Sequence, residues 1–339
     1  MYWGSVPMFR DVASASSHCT EHTYSFDLRE VVAACRSSDA EPDSSVRSIE
    51  PVGFVFHESR SGSTAISNAL AAAHPDRTRV ISEHSAVGEV LNLCDKIQAL
   101  YGVTDCDEVK RGQLFDDLMY MLGRTTDAAE DLLYVKVQSS ATVNMRVVTE
   151  RFPNAKWAFT YRDANSVIEK DTNKKRNPCV KNRRTPTKAL GAYVAGLGLE
   201  LKDLTDAEVC SAYQATVVSA ALDEYESPGG GLESGTGLLI DYDTEINKSD
   251  ALMDILAHFF GVEGMESETD GPRSRVKKQI EGYASPRRGS RHKSWDGIDP
   301  DLIDGVRDEV KEANGKFLKD VMERVTKVKK RNDSSSSNK

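Results

Sequence analysis

The feature that most constrains this chain is a short apolar run that leads into a loop of small, hydroxyl-bearing residues. Val52 to Phe56 is rich in β-forming side chains, and residues 57–64 read His-Glu-Ser-Arg-Ser-Gly-Ser-Thr. Residues 65–73 are rich in helix-forming side chains. The pattern therefore predicts a strand, a tight loop and a helix that begins at the loop.

Such a loop points backbone N–H groups and the positive end of the helix dipole at one position, which suits an anion. Gly62 lets the backbone approach a ligand, Ser63 and Thr64 add hydroxyl donors, and Arg60 adds a fixed charge. The loop lacks the Gly-Lys-Ser/Thr ending of an ATP-hydrolysing loop. An anion site is predicted, and an ordinary turn of small residues is the alternative.

Further strands alternate with helical patterns. Leu132 to Val137, Trp157 to Tyr161 and Gly237 to Asp241 have the length and composition of buried strands. Helical spacing follows in residues 142–151 and 250–260. Alternation of this kind predicts an α/β fold, a three-layer sandwich around a central parallel sheet.

The chain divides into three parts. Residues 1–50 read as a polar, partly disordered leader with one short helical pattern, and residues 51–328 as the catalytic domain. Helical insertions are predicted near 92–131 and 189–226 and a disordered tail at 329–339. Residues 299–328 are predicted to form a long amphipathic helix or a pair, interrupted near Gly315.

The charge distribution favours a compact polyanionic ligand over nucleic acid. The 339 residues carry a formal net charge of −9, yet residues 170–188 and 273–293 are both rich in Lys and Arg. Solvated basic faces are the alternative interpretation of these two segments.

Two observations favour a cytoplasmic protein. The sequence has no apolar run long enough to span a membrane and no secretory signal pattern. A plastid-type leader is the alternative interpretation of the first residues. The six cysteines are scattered without a Cys-x-x-Cys pair, which favours free thiols in a reducing compartment over zinc or disulfides. His57 and His74 are interpreted as structural or exposed.

The segment Ser59-Arg60-Ser61-Gly62-Ser63-Thr64 resembles the 5′-phosphosulfate loop of the PAPS-dependent sulfotransferases. The similarity continues through His74-Pro75-Asp76 to Ser82-Glu83, as in the tyrosylprotein and bacterial branches, whose glutamate at this place is a general base. The resemblance implies that role for Glu83. Because the spacing between His74-Pro75 and the glutamate is one residue longer than expected, His84 and Glu89 are alternatives.

Three later segments are similar to the same family. Val135-Lys136-Val137-Gln138 resembles its Lys-Thr-His strand end, and the missing histidine favours a Glu83 base. Residues 159–164 resemble the strand and turn that bind the 3′-phosphate through Arg162. Residues 285–295 resemble the basic loop that closes over the donor. The family's serine eight residues after Arg162 is Lys170 here, with Ser166 nearby.

The resemblance implies transfer of a sulfuryl group from PAPS to a hydroxyl or amine of a small-molecule acceptor, by in-line displacement and without a metal. It implies catalytic roles for Glu83, Lys136 and Arg60. The implied donor-binding residues are Arg60, Ser61, Gly62, Ser63, Thr64, Arg162, Ser166, Lys170, Arg287, Arg288 and Gly289. A non-catalytic phosphate-binding protein of the same fold and a small-metabolite kinase are the alternatives, and no pattern identifies the acceptor.

Overall fold

The computed structural model describes residues 26–101, 105–172, 178–246, 249–265, 271–281 and 305–336. Its strands are β1 (Arg47–Ser48), β2 (Pro51–His57), β3 (Thr78–Ser82), β4 (Arg124–Thr125), β5 (Leu132–Lys136), β6 (Lys156–Tyr161) and β7 (Gly237–Asp241). The helices that precede β6 are α1 (Leu28–Asp39), α2 (Ser63–Ala73), α3 (Ser85–Leu91), α4 (Leu93–Tyr101), α5 (Glu108–Gly123) and α6 (Met145–Arg151).

The helices after β6 are α7 (Ala164–Thr172), α8 (Pro178–Lys181), α9 (Lys188–Gly196), α10 (Asp206–Glu226), α11 (Gly231–Ser234), α12 (Ser249–Asp254), α13 (Pro272–Glu281), α14 (Asp308–Phe317) and α15 (Lys319–Ser336). Short 3-10 turns lie at Ser139–Asn144 and Leu201–Asp203, and π-type turns at Tyr242–Ile246 and Ile255–Phe259.

Five strands form one parallel sheet in the order β3-β5-β2-β6-β7, and β1 pairs with β4 in a separate antiparallel ribbon. Phe54 in β2 is in register with Val135 of β5 and Trp157 of β6. The chain extends the sheet on the β5 side of β2 first and then crosses to the β6 side. The carboxyl end of β2 is therefore the topological switch point, where α/β sheets commonly bind ligands.

Alternate residues of the strands enter two different cores. Phe54 and Phe56 pack with Phe115 of α5, Val217 of α10 and Phe317 of α14 on one face. On the other face, Val55, Tyr134 and Ala158 pack with Leu70 of α2, Leu252 of α12 and Val276 of α13. Because successive side chains of a strand point to opposite faces, the sheet is covered on both sides. The predicted three-layer α/β sandwich with a central parallel sheet is confirmed.

Four predicted strands agree with the structure to within one residue at each end. The sequence prediction missed β3, an edge strand of five residues with Arg79 near its centre. Arg79 donates to the carbonyl oxygens of Leu122 and Arg124 and pairs with Glu130. The partners that neutralise this charge are distant in sequence, so the local pattern concealed the strand.

The prediction that the cysteines are free thiols is wrong for four of them. Disulfides join Cys94 to Cys106 and Cys179 to Cys210, with Cα–Cα distances of 5.4 and 5.0 Å. The paired cysteines lie 12 and 31 residues apart, and the second pair meets only because α8 packs on α10. Spacing alone does not reveal such pairs, and the cysteine argument for a reducing compartment no longer holds.

The C-terminal helices also differ from the prediction. The break falls at Leu318, between α14 and α15, and Gly315 lies inside α14. In place of the disorder predicted from residue 329, α15 continues to Ser336. Buried Val328 and an ion pair between Lys329 and Glu245 hold this end of the helix against the domain.

Candidate active site

The loop between β2 and α2 has a backbone that only a few residue types adopt easily. Arg60 and Gly62 both have positive φ, 63° and 80°. A Cβ atom at Gly62 would lie 2.4 Å from Cδ2 of Tyr242, so a side chain there has no room. The requirement for glycine that the sequence suggested thus has two causes, the φ angle and the close packing of Tyr242.

The side chain of Ser61 anchors the loop to the sheet. Its hydroxyl is buried, donates to the carbonyl oxygen of Glu58 at 2.9 Å and lies 2.7 Å from Oγ1 of Thr160. Because the single hydroxyl hydrogen is used on Glu58, Thr160 is the donor to Ser61. This hydroxyl is therefore committed within the protein.

Glu58 joins the loop to the end of β6. Its amide donates to the carbonyl oxygen of Thr160 at 3.1 Å, and its Oε1 accepts from the backbone N–H of Arg162 at 2.5 Å. Burial and the nearby charges of Asp171 and Asp163 raise the pKa of Glu58 well above its usual range. The hydrogen bond from the backbone N–H of Arg162 lowers this pKa but does not offset the rise. The ends of β2 and β6 are thereby held together through one buried carboxyl group.

Lys136, at the end of β5, brings two of the predicted groups together. Its side chain is 1% exposed, and its Nζ lies 2.5 Å from Oε1 of Glu83 and 3.1 Å from Oγ1 of Thr64. The amide of Glu83 donates to the carbonyl oxygen of Lys136 at 2.8 Å, and Glu83 has a φ of 49°. Glu83, Lys136 and the first turn of α2 therefore meet at the carboxyl edge of the sheet.

His57, the last residue of β2, completes this cluster. The histidine is 6% exposed, and its Nε2 lies 3.5 Å from Oε1 of Glu83. The sequence interpretation gave His57 a structural or exposed role. Its position at the end of β2 indicated the carboxyl edge of the sheet, but the strand order that brings Lys136 beside it is not readable from the sequence.

The environment keeps Glu83 ionised. Burial acts to raise the pKa of this carboxyl, but the contact with His57 and the charge of Lys136 outweigh it, and the pKa lies far below its usual range. Burial and the charge of Lys136 lower the pKa of His57, partly offset by Glu83. The resting cluster is thus a carboxylate, an ammonium group and a neutral imidazole.

The two alternatives to Glu83 occupy other surroundings. His84 is the N-cap residue of α3, and its Nδ1 accepts from the amide of Ala86 at 3.1 Å. Glu89 is exposed and pairs with Lys96. Of these three groups, Glu83 is the one that the structure places on Lys136.

Arg162 lies just beyond the end of β6 and is 7% exposed. Its Nε lies 3.2 Å from Oδ1 of Asp243, and its guanidinium lies 4.6 Å from the ring centre of Tyr242. The same tyrosine contacts the position of Gly62. Tyr242 therefore contacts both Arg162 and the loop between β2 and α2.

Helix α7 approaches the loop from the other side. Asp171 accepts from the hydroxyl of Ser59 at 3.2 Å, and its Oδ1 lies 3.8 Å from Nε of Arg60. Lys170 is buried in the same helix, and Ser166 lies in its first turn, with its amide donating to Asp163 at 2.8 Å. The predicted donor residues Arg287, Arg288 and Gly289 lie outside the described residues.

A cavity of about 420 Å³ opens between α4, the start of α5 and the start of α9. Its volume falls in the range of small-molecule pockets. The lining includes both ends of one disulfide, two cations, a carboxylate and a small apolar residue: Cys94, Cys106, Arg111, Lys188, Asp95 and Ala192.

Within the part of the chain that the structure describes, no group of three or more His, Cys, Asp or Glu side chains is arranged to hold a metal ion. Among the same residues, none of the helices has the length and apolar character needed to cross a bilayer.

No family model and no curated protein sequence matches this chain significantly. Solved structures do. The sulfotransferase domain of the Synechococcus PCC 7002 olefin synthase is 16% identical, with a TM-score of 0.42 over 81% of this chain and 96% of that chain.

Two mycobacterial structures are similar as well. Sulfotransferase STF9 from Mycobacterium avium is 12% identical, with a TM-score of 0.45 over 86% of this chain and 80% of that chain. Sulfotransferase STF1 from Mycobacterium tuberculosis H37Rv is 11% identical, with a TM-score of 0.42 over 86% and 81%. All three are sulfotransferases, the family that the motifs of this sequence resemble.

Proposed function

We propose that the chain is a sulfotransferase that moves a sulfuryl group from PAPS to a hydroxyl or amine of a small molecule. The observation that carries the proposal is the meeting of Glu83, Lys136 and Thr64 at the loop between β2 and α2. A carboxylate for the proton and an ammonium group for the leaving oxygen, both beside an anion-binding loop, are what in-line sulfuryl transfer requires.

In this reaction the acceptor oxygen forms a bond to sulfur while the bond from sulfur to the bridging oxygen breaks, and the electron pair stays on the 5′-phosphate. Lys136 and the amides at the start of α2 stabilise the charge that grows on the bridging oxygen. Arg60 adds charge to the loop. Glu83 accepts the proton of the acceptor hydroxyl, which contributes on the order of 10²- to 10⁴-fold.

The charges around the loop fit a donor with a separate 3′-phosphate. Arg162 and Lys170 are both buried, and Arg162 and Arg60 each have a carboxylate partner, Asp243 and Asp171. These carboxylates orient the two guanidinium groups, and guanidinium groups bind phosphate through paired N–H donors. Arg162 with Lys170 or Ser166 would hold the 3′-phosphate, and so select this donor over ATP.

The cavity beside α4 and α9 has the size of a small-molecule site, and we propose it as a place for the acceptor. Most of its lining residues come from the two segments that the sequence marks as helical insertions, and they combine charged, amide and apolar surfaces. Asp95 is held in the wall by the amide of Lys188 at 2.8 Å and by Asn144 at 3.0 Å. We infer a polar acceptor of modest size.

The test is a transfer assay with ³⁵S-labelled PAPS and a panel of phenol, sterol, carbohydrate and amine acceptors. Labelled product with any acceptor, absent when Glu83→Gln replaces the wild type, supports the proposal. Binding of PAP without transfer to any acceptor or to water would favour the non-catalytic phosphate-binding alternative. Magnesium-dependent turnover of ATP would favour the kinase alternative.

A further inference from the structure

The orientation of the His57 ring is determined by its neighbour in sequence. Nδ1 lies 2.8 Å from the carbonyl oxygen of Glu58. A carbonyl oxygen has no hydrogen to give, so Nδ1 is the donor. A neutral His57 ring therefore carries its only N–H on Nδ1, and Nε2 holds a lone pair.

That lone pair faces a carboxylate. Nε2 lies 3.5 Å from Oε1 of Glu83, the same oxygen that Nζ of Lys136 contacts at 2.5 Å. Two acceptors that face each other repel, and a proton between them turns the contact into a charge-assisted hydrogen bond. One proton between Nε2 and Oε1 would therefore stabilise this contact.

From this geometry, and on the basis of the proposed function, we propose that His57 is a positioning residue that also stores the proton which Glu83 removes from the acceptor. In the transfer step the acceptor O–H bond breaks and its proton joins a carboxylate oxygen of Glu83. The proton then passes to Nε2 of His57. His57 is then an imidazolium and Glu83 is a carboxylate again. The imidazolium later releases this proton to solvent.

The charged groups around the His57 ring are consistent with these roles of Glu83 and His57. Glu83 and Lys136 are the titratable side chains that act on the His57 ring, and Glu58 acts through its carbonyl oxygen. The contact with His57 and the charge of Lys136 together lower the pKa of Glu83, which favours release of a proton from this carboxyl group. Burial and the charge of Lys136 lower the pKa of His57, which favours a neutral ring before the transfer step.

The experiment is an NMR titration of the full chain labelled with ¹⁵N in its histidine rings. A His57→Gln sample identifies the His57 signals. We expect a neutral ring with its proton on Nδ1. In Glu83→Gln the protonation midpoint of His57 should fall by about one pH unit or more, because a negative charge close to Nε2 is lost. In Lys136→Met the midpoint should rise, because a positive charge is lost.

His74→Gln is the control, since His74 contacts the carbonyl oxygen of Glu263 and lies at the far end of α2. A proton on Nε2 in the neutral ring, or a midpoint unchanged in both Glu83→Gln and Lys136→Met, would overturn the inference. Titration of the same samples with PAP separates the two proposals. If the chain binds PAP but the His57 midpoint does not respond to Glu83 and Lys136, only the proposed role of His57 is overturned. If the midpoint responds but PAP does not bind, the sulfotransferase proposal is overturned.

Discussion

Nζ of Lys136 lies 2.5 Å from Oε1 of Glu83, although the two residues are 53 positions apart and the lysine side chain is 1% exposed. Parallel strands make this contact possible, because β3 and β5 are neighbours and end at the same edge. A buried ion pair contributes little to stability on balance, since desolvation offsets attraction. A role in the proposed transfer reaction would account for the pair.

Replacing Glu83 by Gln keeps the shape of the side chain and removes its capacity to accept a proton. We expect kcat for sulfuryl transfer to fall by about 10²- to 10⁴-fold with PAP binding retained. Glu89→Gln, an exposed glutamate paired with Lys96, is the matched control and should keep wild-type kcat. Full activity in Glu83→Gln would remove this residue from the mechanism.

Replacing Gly62 by Ala should damage the loop in two ways. The positive φ is unfavourable for alanine, and the new Cβ meets the ring of Tyr242. We expect the free energy of unfolding to fall by about 2–4 kcal/mol and PAP binding to weaken strongly. Gly191→Ala in α9 has open space around its Cβ and should stabilise by about 0.5–1 kcal/mol. Equal unfolding free energies for Gly62→Ala and the wild type in urea would contradict the packing described.

The carboxyl of Glu58 should make stability depend on pH in a defined direction. Its pKa is raised in the folded chain by burial, so its contribution is present below the usual pKa and is lost as pH rises through the folded value. Glu58→Gln does not titrate and should therefore gain stability relative to the wild type as pH rises above the usual pKa of a glutamate. Urea unfolding across this range measures the difference. A stability difference between the two proteins that is constant with pH would show that the carboxyl does not titrate as described.

The disulfides predict a difference in thiol reactivity. Cys94, Cys106, Cys179 and Cys210 should resist alkylation in denaturant until a reductant is added, whereas Cys35 should react without one. Reduction should lower the free energy of unfolding by about 2–4 kcal/mol for each bond. Mass spectrometry of alkylated peptides reads the pairing directly, and immediate alkylation of all four cysteines would contradict it.

Much of the fold could be predicted because its signals are local. The buried strands β2, β5, β6 and β7 are continuous apolar runs bounded by turn residues, and the helix after the loop begins where the pattern changes. Strand β3 could not be predicted, because Arg79 is neutralised by partners far along the chain. The disulfides were missed for the same reason, since helix packing and not spacing brings the cysteines together.

The candidate site was likewise predictable only where its sequence signals are local. The sequence placed Lys136 and Arg162 at strand ends and Gly62 in the loop before the helix, where the structure has them, and Arg60 lies in the same loop. It could not reveal His57 as a neighbour of Glu83, because that contact depends on β2 and β3 lying on either side of β5. Nor could it show that the hydroxyl of Ser61 donates to the carbonyl oxygen of Glu58. Ser61 would therefore contribute to the proposed anion site through its backbone.

The most direct measurement is calorimetric titration of the chain with PAP, with ATP as the competing ligand and Arg162→Ala as the variant. A dissociation constant in the micromolar range for PAP, lost in Arg162→Ala and absent for ATP, is the predicted result. Lys156→Ala is the matched control, since Lys156 lies at the opposite end of β6 and donates to the carbonyl oxygen of Gly235, and it should bind PAP like the wild type. Failure of the wild-type chain to bind PAP would contradict the proposed donor site and, with it, the sulfotransferase function.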